Sequence, residues 1–171
     1  TSQYMYDNII SENSKENYYS ELSSMLENIE SVFKETEDAG FSKDLDRYFQ
    51  TIENLRANPN SEIYKNELKL NGQIIVDDLK RIYEDINAQE ELSTQALNQN
   101  VNEINNLLED IASVNEQIND SGIASNDLLD KRDLLEKQLS SYVDIDVNRD
   151  YEFYELKIGG ETAVRYSTNV R

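Results

Sequence analysis

The sequence predicts a mainly α fold: an elongated antiparallel helical bundle with one very long helix, followed by a C-terminal β-hairpin region. One Pro and five Gly among 171 residues leave long stretches without a strong helix breaker. Apolar residues recur at steps of three and four over most of the chain, and beyond Ser141 the period changes to two. We therefore expect a helical rod-like domain at residues 1–141 and a β-hairpin segment at 142–171 that leads into a truncated β domain.

The charge of the chain limits its partners. Sixteen Lys and Arg against 35 Asp and Glu give a net charge of -19 at pH 7. Nucleic acids and anionic membranes are poor partners for such a chain, because binding to phosphates needs clustered positive charge. No apolar run approaches the roughly 20 residues that span a bilayer. We predict no nucleic-acid partner and no membrane partner.

The sequence also lacks most of the residues used in catalysis. There is no Cys and no His, which removes thiolate nucleophiles, the usual zinc sites and the commonest general base. The acidic pairs 77–78, 90–91 and 109–110 lie on predicted helix faces, where they are interpreted as solvated charge. No Gly-rich phosphate loop or nucleophile motif is present. We predict no enzyme activity, no cofactor and no metal.

The first two predicted helices are amphipathic. An apolar stripe at helical spacing from Tyr18 to Val32 predicts the first helix, and Asp38 to Gly40 ends that helix. Ser42 is then expected to cap a second, shorter helix, so that two antiparallel helices follow. The expected buried residues are Tyr18, Leu22, Met25, Ile29 and Val32 in the first helix, and Leu45, Tyr48, Phe49, Ile52 and Leu55 in the second.

The clearest break comes at Asn58 and Pro59, where one helix stops and another begins, since Pro is welcome in a first turn. A very long helix should start there. Between Ile86 and Leu97 its apolar stripe is interrupted, which predicts a weak or bent stretch. The stripe contains Ile63 or Tyr64, Leu68, Ile75, Leu79, Ile82 and Ile86, then Leu97, Val101, Ile104, Leu108, Ile111 and Ile118. We interpret it as core packing.

Asp120 to Gly122 closes the long helix, and Ser125 or Asn126 caps the next. Two interpretations of Arg132 stay open. It forms a surface pair with the residue four positions on, or it reaches an acidic group on the long helix and fixes how the two pack. The surface pairs expected from spacing are Asp127 with Lys131, Arg132 with Glu136, and Asp133 with Lys137.

The last segment reads as strands, because Val143, Ile145 and Val147 alternate with acidic residues. Turns are expected at residues 148–150 and at Gly159-Gly160. Residues 144–155 also place oxygen side chains at the positions of a calcium-binding loop. The position that needs Gly is Arg149, and the flanks are strands. An acidic hairpin is therefore favoured over a calcium site.

Several of the eleven tyrosines fall on helix stripes, namely Tyr18, Tyr48 and Tyr64. These are expected to pack with the hydroxyl reaching water, because Tyr combines an apolar ring with a polar tip. Others are interpreted as interface contacts.

One motif carries a resemblance to a known family. Residues 125–135 read S-N-D-L-L-D-K-R-D-L-L, which resembles the N-D-L-L-D-x-R-D segment of the flagellar hook-associated protein 1 family. Two further stretches are similar to the same family in the same order: residues 48–49 with 54–59, and residues 101–105 with 111–118. The residues that match the motif are Asn126, Asp127, Leu128, Leu129, Asp130, Arg132 and Asp133.

The resemblance implies a structural subunit of the bacterial flagellum that joins hook to filament by subunit packing and torque transmission. It implies extracellular localisation after export through the flagellar type III apparatus. The implied partners are other copies of the full-length protein, the hook protein, the second hook–filament junction protein and an export chaperone that binds missing regions. Because the chain opens at Thr1 and closes at Arg171, we expect part of a longer protein. The alternative is a secreted or surface coiled-coil binding protein, such as an adhesin or toxin stalk.

Overall fold

A computed structural model describes residues 3–33, 39–121, 125–150 and 153–170. Four helices are followed by four strands: α1 (Gln3–Phe33), α2 (Phe41–Ala57), α3 (Glu62–Ser121), α4 (Asn126–Leu139), β1 (Ile145–Asp150), β2 (Phe153–Ile158), β3 (Glu161–Arg165) and β4 (Thr168–Asn169). The mainly α fold with one very long helix and a C-terminal antiparallel sheet is confirmed. No helix within the described ranges is long and apolar enough to cross a membrane.

The chain forms two compact units. Unit 1 contains residues 1–22 and 96–171, and unit 2 contains residues 23–95. Helices α1 and α3 each contribute to both units. The change from helix to strand falls between Leu139 and Ile145, and the domain division after residue 141 stays a prediction.

In unit 2, helix α2 and the first half of α3 pack along the apolar side that the sequence predicts for α2. Leu45, Tyr48, Ile52 and Leu55 are partly buried, whereas Phe49 is exposed. Gly72 of α3 faces the Tyr48 ring of α2, and a Cβ at this glycine would be in van der Waals contact with the ring, at 3.4 Å.

Two polar contacts fix the neighbouring helices of unit 2. Asn71 Nδ2 donates a hydrogen bond of 2.8 Å to the hydroxyl of Thr51, which is buried on α2. Arg81 Nη1 donates to the backbone oxygen of Val32 on α1 over 2.8 Å. Both contacts use a side chain of α3, so this helix holds α1 and α2 in register.

The apolar stripe predicted for α1 is largely exposed. Leu22, Met25 and Ile29 are 38%, 49% and 46% exposed, and Tyr18 is 63% exposed, whereas Val32 is 4% exposed. The prediction of a buried face was therefore wrong except at Val32. Periodicity locates an apolar face, but it carries no information about what covers that face.

Helix starts and stops agree with the sequence in part. Asn58 follows the last residue of α2 and donates its backbone N–H to the carbonyl of Asn54 over 3.0 Å, and Pro59 lies in the turn before α3. Helix α2 ends at Ala57 and α3 begins at Glu62. Ser42 is the second residue of α2, so the expected cap there was wrong: Gly40 occupies the N-cap position. The expected stop at 38–40 falls partly outside the described residues.

Helix α3 continues without interruption through the stretch where the sequence predicts weakness. Residues 90–103 are all exposed, including Leu97 and Val101 of the predicted stripe. Burial resumes at Leu107, Leu108 and Ile111. The local bend stays a prediction.

The sheet is an antiparallel meander with the strand order β1-β2-β3-β4. Val147 pairs with Leu156, and Ile145 pairs with Ile158. The face that contains these residues closes the core of unit 1. That core consists of Ile10, Leu107, Leu108, Ile111, Ala112, Val114, Leu135, Leu139, Ile145, Val147, Tyr154, Leu156 and Val164.

The turn at Gly159-Gly160 is confirmed. Both glycines have positive φ, 59° and 86°, which matches the twist of a two-residue hairpin loop. The turn expected at residues 148–150 was wrong, because all three belong to β1. Polar residues read as a loop there, yet each of them is paired with a residue of β2.

Candidate functional site

The most unusual feature of unit 1 is a buried carboxylate. Glu136 of α4 is fully buried, with 0% of its surface exposed. The hydroxyl of Tyr154 donates to its Oε1 over 2.9 Å, and the hydroxyl of Tyr6 donates to its Oε2. Arg149 forms an ion pair with the same Oε2. We call the set of connected side chains the Glu136 network: Tyr6, Asn115, Arg132, Asp133, Glu136, Arg149 and Tyr154.

The helical period of α4 explains why charged residues lie inside. Leu128, Arg132, Leu135 and Leu139 follow one another at steps of three and four, and Glu136 lies beside Leu135. One face of α4 therefore carries both apolar and charged groups toward the core. Ser125 fixes the start of the helix, since its hydroxyl accepts a hydrogen bond of 3.3 Å from the backbone N–H of Leu128.

The pairing of β1 with β2 positions the two residues that the sheet contributes to the Glu136 network. Arg149 of β1 lies directly opposite Tyr154 of β2 in the antiparallel register. Directly opposite residues project from the same face of a sheet, so both side chains reach the network. A second carboxylate supports Arg149, because its Nη1 lies 2.7 Å from Oδ1 of Asp133. Arg149 also stacks over the Tyr6 ring, 4.3 Å from the ring centroid.

Arg132 connects α4 to α3 and the end of the sheet. Its Nη1 donates to Oδ1 of Asn115 over 2.9 Å, and its guanidinium lies 4.9 Å from the ring centroid of Tyr154. Asn115 then donates from Nδ2 to the backbone oxygen of Tyr166 over 2.8 Å. Tyr166 has a positive φ of 55°, so this contact holds a turn in the left-handed region. Two Arg side chains thus link five elements around one carboxylate: α1, α3, α4, β1 and β2.

Burial and the nearby carboxylate shift the pKa values of three network groups. Desolvation, together with repulsion from Glu136, raises the pKa of the Tyr6 hydroxyl well above its ordinary value. The same two causes raise the pKa of Tyr154. Desolvation lowers the pKa of Arg149, but attraction to Glu136 outweighs it and the net pKa is raised. Both tyrosines therefore remain neutral donors and Arg149 remains charged at physiological pH.

The Glu136 network links several helices and strands of unit 1. The oxygens of Glu136 accept from three donors, and a buried charge that is paired and hydrogen-bonded avoids the large cost of burial. Within the described part of the chain, no group of three or more Asp and Glu side chains could hold a metal ion. The oxygens of Glu136 are satisfied by other members of the network, whereas Nε of Arg132 and Nε of Arg149 are buried without a hydrogen-bond partner among the described residues.

The structure divides the motif residues into three sets. Arg132 and Asp133 belong to the network. Leu128 and Leu129 are half-buried, which anchors the first turn of α4. The remaining three are exposed: Asn126, Asp127 and Asp130.

The pairs expected on the surface of α4 are arranged differently. Arg132 Nε does lie 3.7 Å from Glu136 Oε1, but the pair is buried rather than exposed. Arg132 reaches an amide on α3, where an acidic partner was the other interpretation. Asp133 pairs with Arg149 of the sheet instead of Lys137.

Sequence reasoning missed the centre of the network. Glu136 was assigned to the surface although it lies next to Leu135 and three residues before Leu139, on the apolar side of α4. The helical spacing of Glu136 relative to Leu135 and Leu139 could have indicated that it is buried. The contributions of Tyr6 and Arg149 had no such signal, because they come from elements 130 and 13 residues away in sequence.

A second charged cluster lies on the opposite face of the sheet. Glu155 Oε1 accepts from Arg165 over 2.9 Å and from Thr162 over 2.7 Å, and Oε2 lies 3.3 Å from Lys157. The hydrogen bonds from Arg165 and Thr162 lower the pKa of Glu155 to about 2. This cluster joins β2 to β3.

The calcium candidate at residues 144–155 lies in the β1–β2 hairpin, in agreement with the favoured interpretation. Asn148 pairs with Glu155 across the two strands, so the oxygen side chains are spread along a sheet rather than gathered in one loop. Residues 151 and 152 lie outside the described residues.

A family model matches most of the chain. The model for the helical domain of flagellar hook-associated protein FlgK covers residues 26–170. This chain belongs to the FlgK helical-domain family. The match includes α2, α3, α4 and the sheet, and therefore most of the Glu136 network.

Two relatives place the family match in context. The chain is 33% identical over 141 residues to flagellar hook-associated protein 1 of Bacillus subtilis (strain 168), which covers 80% of this chain and 28% of that protein. The solved structure of the flagellar hook junction protein FlgK from Burkholderia pseudomallei has 22% sequence identity and a TM-score of 0.81. It covers 98% of this chain and 30% of that one, and it shows the same fold. The chain therefore spans less than a third of the length of either relative.

Proposed function

We propose that this chain is part of a structural subunit of the bacterial flagellum, placed at the joint between hook and filament. The match of residues 26–170 to the FlgK helical-domain family carries this proposal. The identity with the Bacillus subtilis protein supports it over 80% of the chain. A coiled-coil adhesin would share helical periodicity, but it gives no reason for the N-D-L-L-D-x-R-D motif or for the sheet that follows it.

The geometry supports a mechanical role. Backbone hydrogen bonds run without a break through the 60 residues of α3, which takes part in both units. The Glu136 network then fastens α4 and the sheet to α3 and α1, so that unit 1 resists shear between its elements. We propose that the subunit transmits torque through these packed elements and that it needs no catalytic group.

The proposed partners belong to the whole protein, of which this chain is a part. They are further copies of the same protein, the hook protein and the second hook–filament junction protein. We propose that the protein acts outside the cell after export through the flagellar type III apparatus, with an export chaperone bound to other regions. Residues 142–171 are proposed to lead into a further β domain.

The decisive experiment is immunogold labelling of flagella from the source organism with antibody raised against this chain. Label confined to the hook–filament boundary is the expected result. A strain that lacks the gene should carry hooks without filaments, because the joint is missing. Label spread over the cell surface with a bare junction would contradict the proposal and favour the adhesin interpretation.

A further inference from the structure

A groove of about 660 Å³ opens on unit 1, away from the Glu136 network. It lies between the first half of α1, the region of α3 around Asn100 and the connection from α4 to β1. We call it the tyrosine groove. The residues that define it are Lys15, Tyr18, Tyr19, Glu21, Tyr142 and Asp144.

Three aromatic side chains at this groove are exposed to solvent. Tyr18, Tyr19 and Tyr142 are 63%, 65% and 43% exposed. Tyr18 and Tyr19 meet edge to face, with 5.3 Å between ring centroids and 72° between planes, so each ring restrains the other. Rigid exposed tyrosines are typical of contact surfaces, because they bury a large area at a low cost in conformational entropy.

The charge of the groove is negative. Glu21 and Asp144 are exposed and form no ion pair within the described ranges of the chain. The single cation, Lys15, is already paired with Glu12 at 2.9 Å. The hydrogen bond from Lys15 to Glu12 raises the pKa of the Lys15 ammonium group, and the negative charge of Asp144 raises it further.

This chemistry fits a basic side chain. A guanidinium or ammonium group is attracted to the face of a tyrosine ring and, at the same place, to the carboxylates of Glu21 and Asp144. Ser14, Asn17 and Asn100 also line the groove and offer hydrogen bonds to the backbone of an extended segment. A second copy of this chain, with its net charge of -19, offers little basic surface to this groove.

We propose that the tyrosine groove binds an extended polypeptide segment of another protein that presents Arg or Lys side chains. The proposal rests on the groove alone and is independent of the flagellar role. Both the tyrosine rings and the carboxylates of the groove contribute to binding, so the loss of either should lower the affinity for the segment.

The test uses the isotope-labelled chain and nuclear magnetic resonance. The probe is a peptide of about twelve residues that repeats Gly-Ser-Arg, long enough to cross a groove of this kind in an extended form. The matched peptide repeats Gly-Ser-Gln, and maltohexaose serves as a carbohydrate probe. Shifts confined to Tyr18, Tyr19 and Tyr142 are the expected result for the arginine peptide, with binding at least about tenfold weaker for the glutamine peptide.

Variants of the groove sharpen the test. We expect Asp144→Asn and Tyr18→Ser each to raise the Kd for the arginine peptide about fivefold, in keeping with exposed charge and cation–π contacts. Asp130→Asn removes an exposed carboxylate of α4 outside the groove and should leave the Kd unchanged. Far-UV circular dichroism confirms folding, which these exposed positions should preserve.

Three results would overturn the proposal. One is an equal loss of affinity in Asp130→Asn, which would mean unspecific attraction to an acidic surface. Another is equal binding of the glutamine peptide, which would remove the role of charge. The third is binding of maltohexaose without binding of the arginine peptide, which would make the groove a carbohydrate site.

Discussion

Replacement of Glu136 by Gln tests the central claim about unit 1, because it removes one charge and almost no volume. The variant keeps one oxygen that can accept a hydrogen bond. It leaves Arg149 without its buried partner, and the Arg149 side chain is 19% exposed. Removal of one member of a buried ion pair costs about 3–5 kcal/mol. Asp133, 2.7 Å from Arg149, still offers a partial partner. We therefore expect a loss of about 3 kcal/mol, at the low end of that range.

The assay combines urea denaturation with hydrogen exchange followed by mass spectrometry. Exchange resolves unit 1 from unit 2, which a single spectroscopic signal does not. In Glu136→Gln, amides of α4 and β2 should exchange faster, while those of α2 should keep the wild-type rate. The matched control is Glu116→Gln, an exposed position on α3, where a change within about 0.5 kcal/mol is expected.

A second variant checks the cause. Glu136→Leu combined with Arg149→Met removes both charges, and a well-packed apolar replacement of a buried pair is often close to neutral. The double variant should therefore be more stable than Glu136→Leu alone. The reasoning is refuted if Glu136→Gln loses less than about 1 kcal/mol, the size of one ordinary neutral hydrogen bond.

Four further predictions concern pH and local geometry. The pKa of Glu155 is lowered from 4.5 to about 2, so the charged carboxylate stabilises the fold above pH 4.5, and this stabilisation is lost as the pH falls toward 2. In urea melts over that pH range, the stability difference between wild type and Glu155→Gln should therefore shrink. The pKa of Tyr154 is raised from 10.0, so the neutral hydroxyl stabilises the fold below pH 10, and this stabilisation is lost as the pH rises further. In alkaline urea melts, wild type should lose stability relative to Tyr154→Phe. The same pH dependence of stability in both proteins would contradict this prediction. Ser125→Ala removes the cap of α4 and should cost about 1 kcal/mol, with faster exchange of the Leu128 amide as the direct readout. Gly160→Ala should cost about 1–2 kcal/mol and lower the Tm, because φ is 86° there; an unchanged Tm would show that the turn tolerates a side chain.

The sequence predicts the elements of this fold well where local chemistry decides them. Pro59 lies in the turn between α2 and α3, because its ring is not tolerated in a helix interior and disfavours a helical residue before it. Gly159 and Gly160 form a turn because their backbone adopts positive φ. Ser125 caps α4 through a hydrogen bond within four residues. Each of these features depends on neighbours in sequence, so a single sequence contains the reason for it.

Features that depend on distant parts of the chain are predicted poorly. The apolar stripe of α1 has a clear helical period, yet Met25 and Ile29 are exposed, since period does not identify a covering surface. Arg149 reads as a turn residue, but it is a strand residue because Tyr154 lies opposite. Glu136 is buried only because an Arg and two Tyr from other elements converge on it. No propensity of a carboxylate predicts that environment.

The Glu136 network also has a consequence for the order of folding. Arg149 and Tyr154 lie 13 and 18 residues from Glu136, so α4 and the first hairpin can find each other through short loops. Tyr6 lies 130 residues away, and a tenfold longer loop costs about 2 kcal/mol more to close if it is flexible. We therefore expect the beginning of α1 to be the last part of unit 1 to dock during folding. During synthesis from the N-terminus, α1 is made first, but its docking site is complete only after the β1–β2 hairpin has formed. We expect Glu136 to accept the hydrogen bond from the Tyr6 hydroxyl only at that stage.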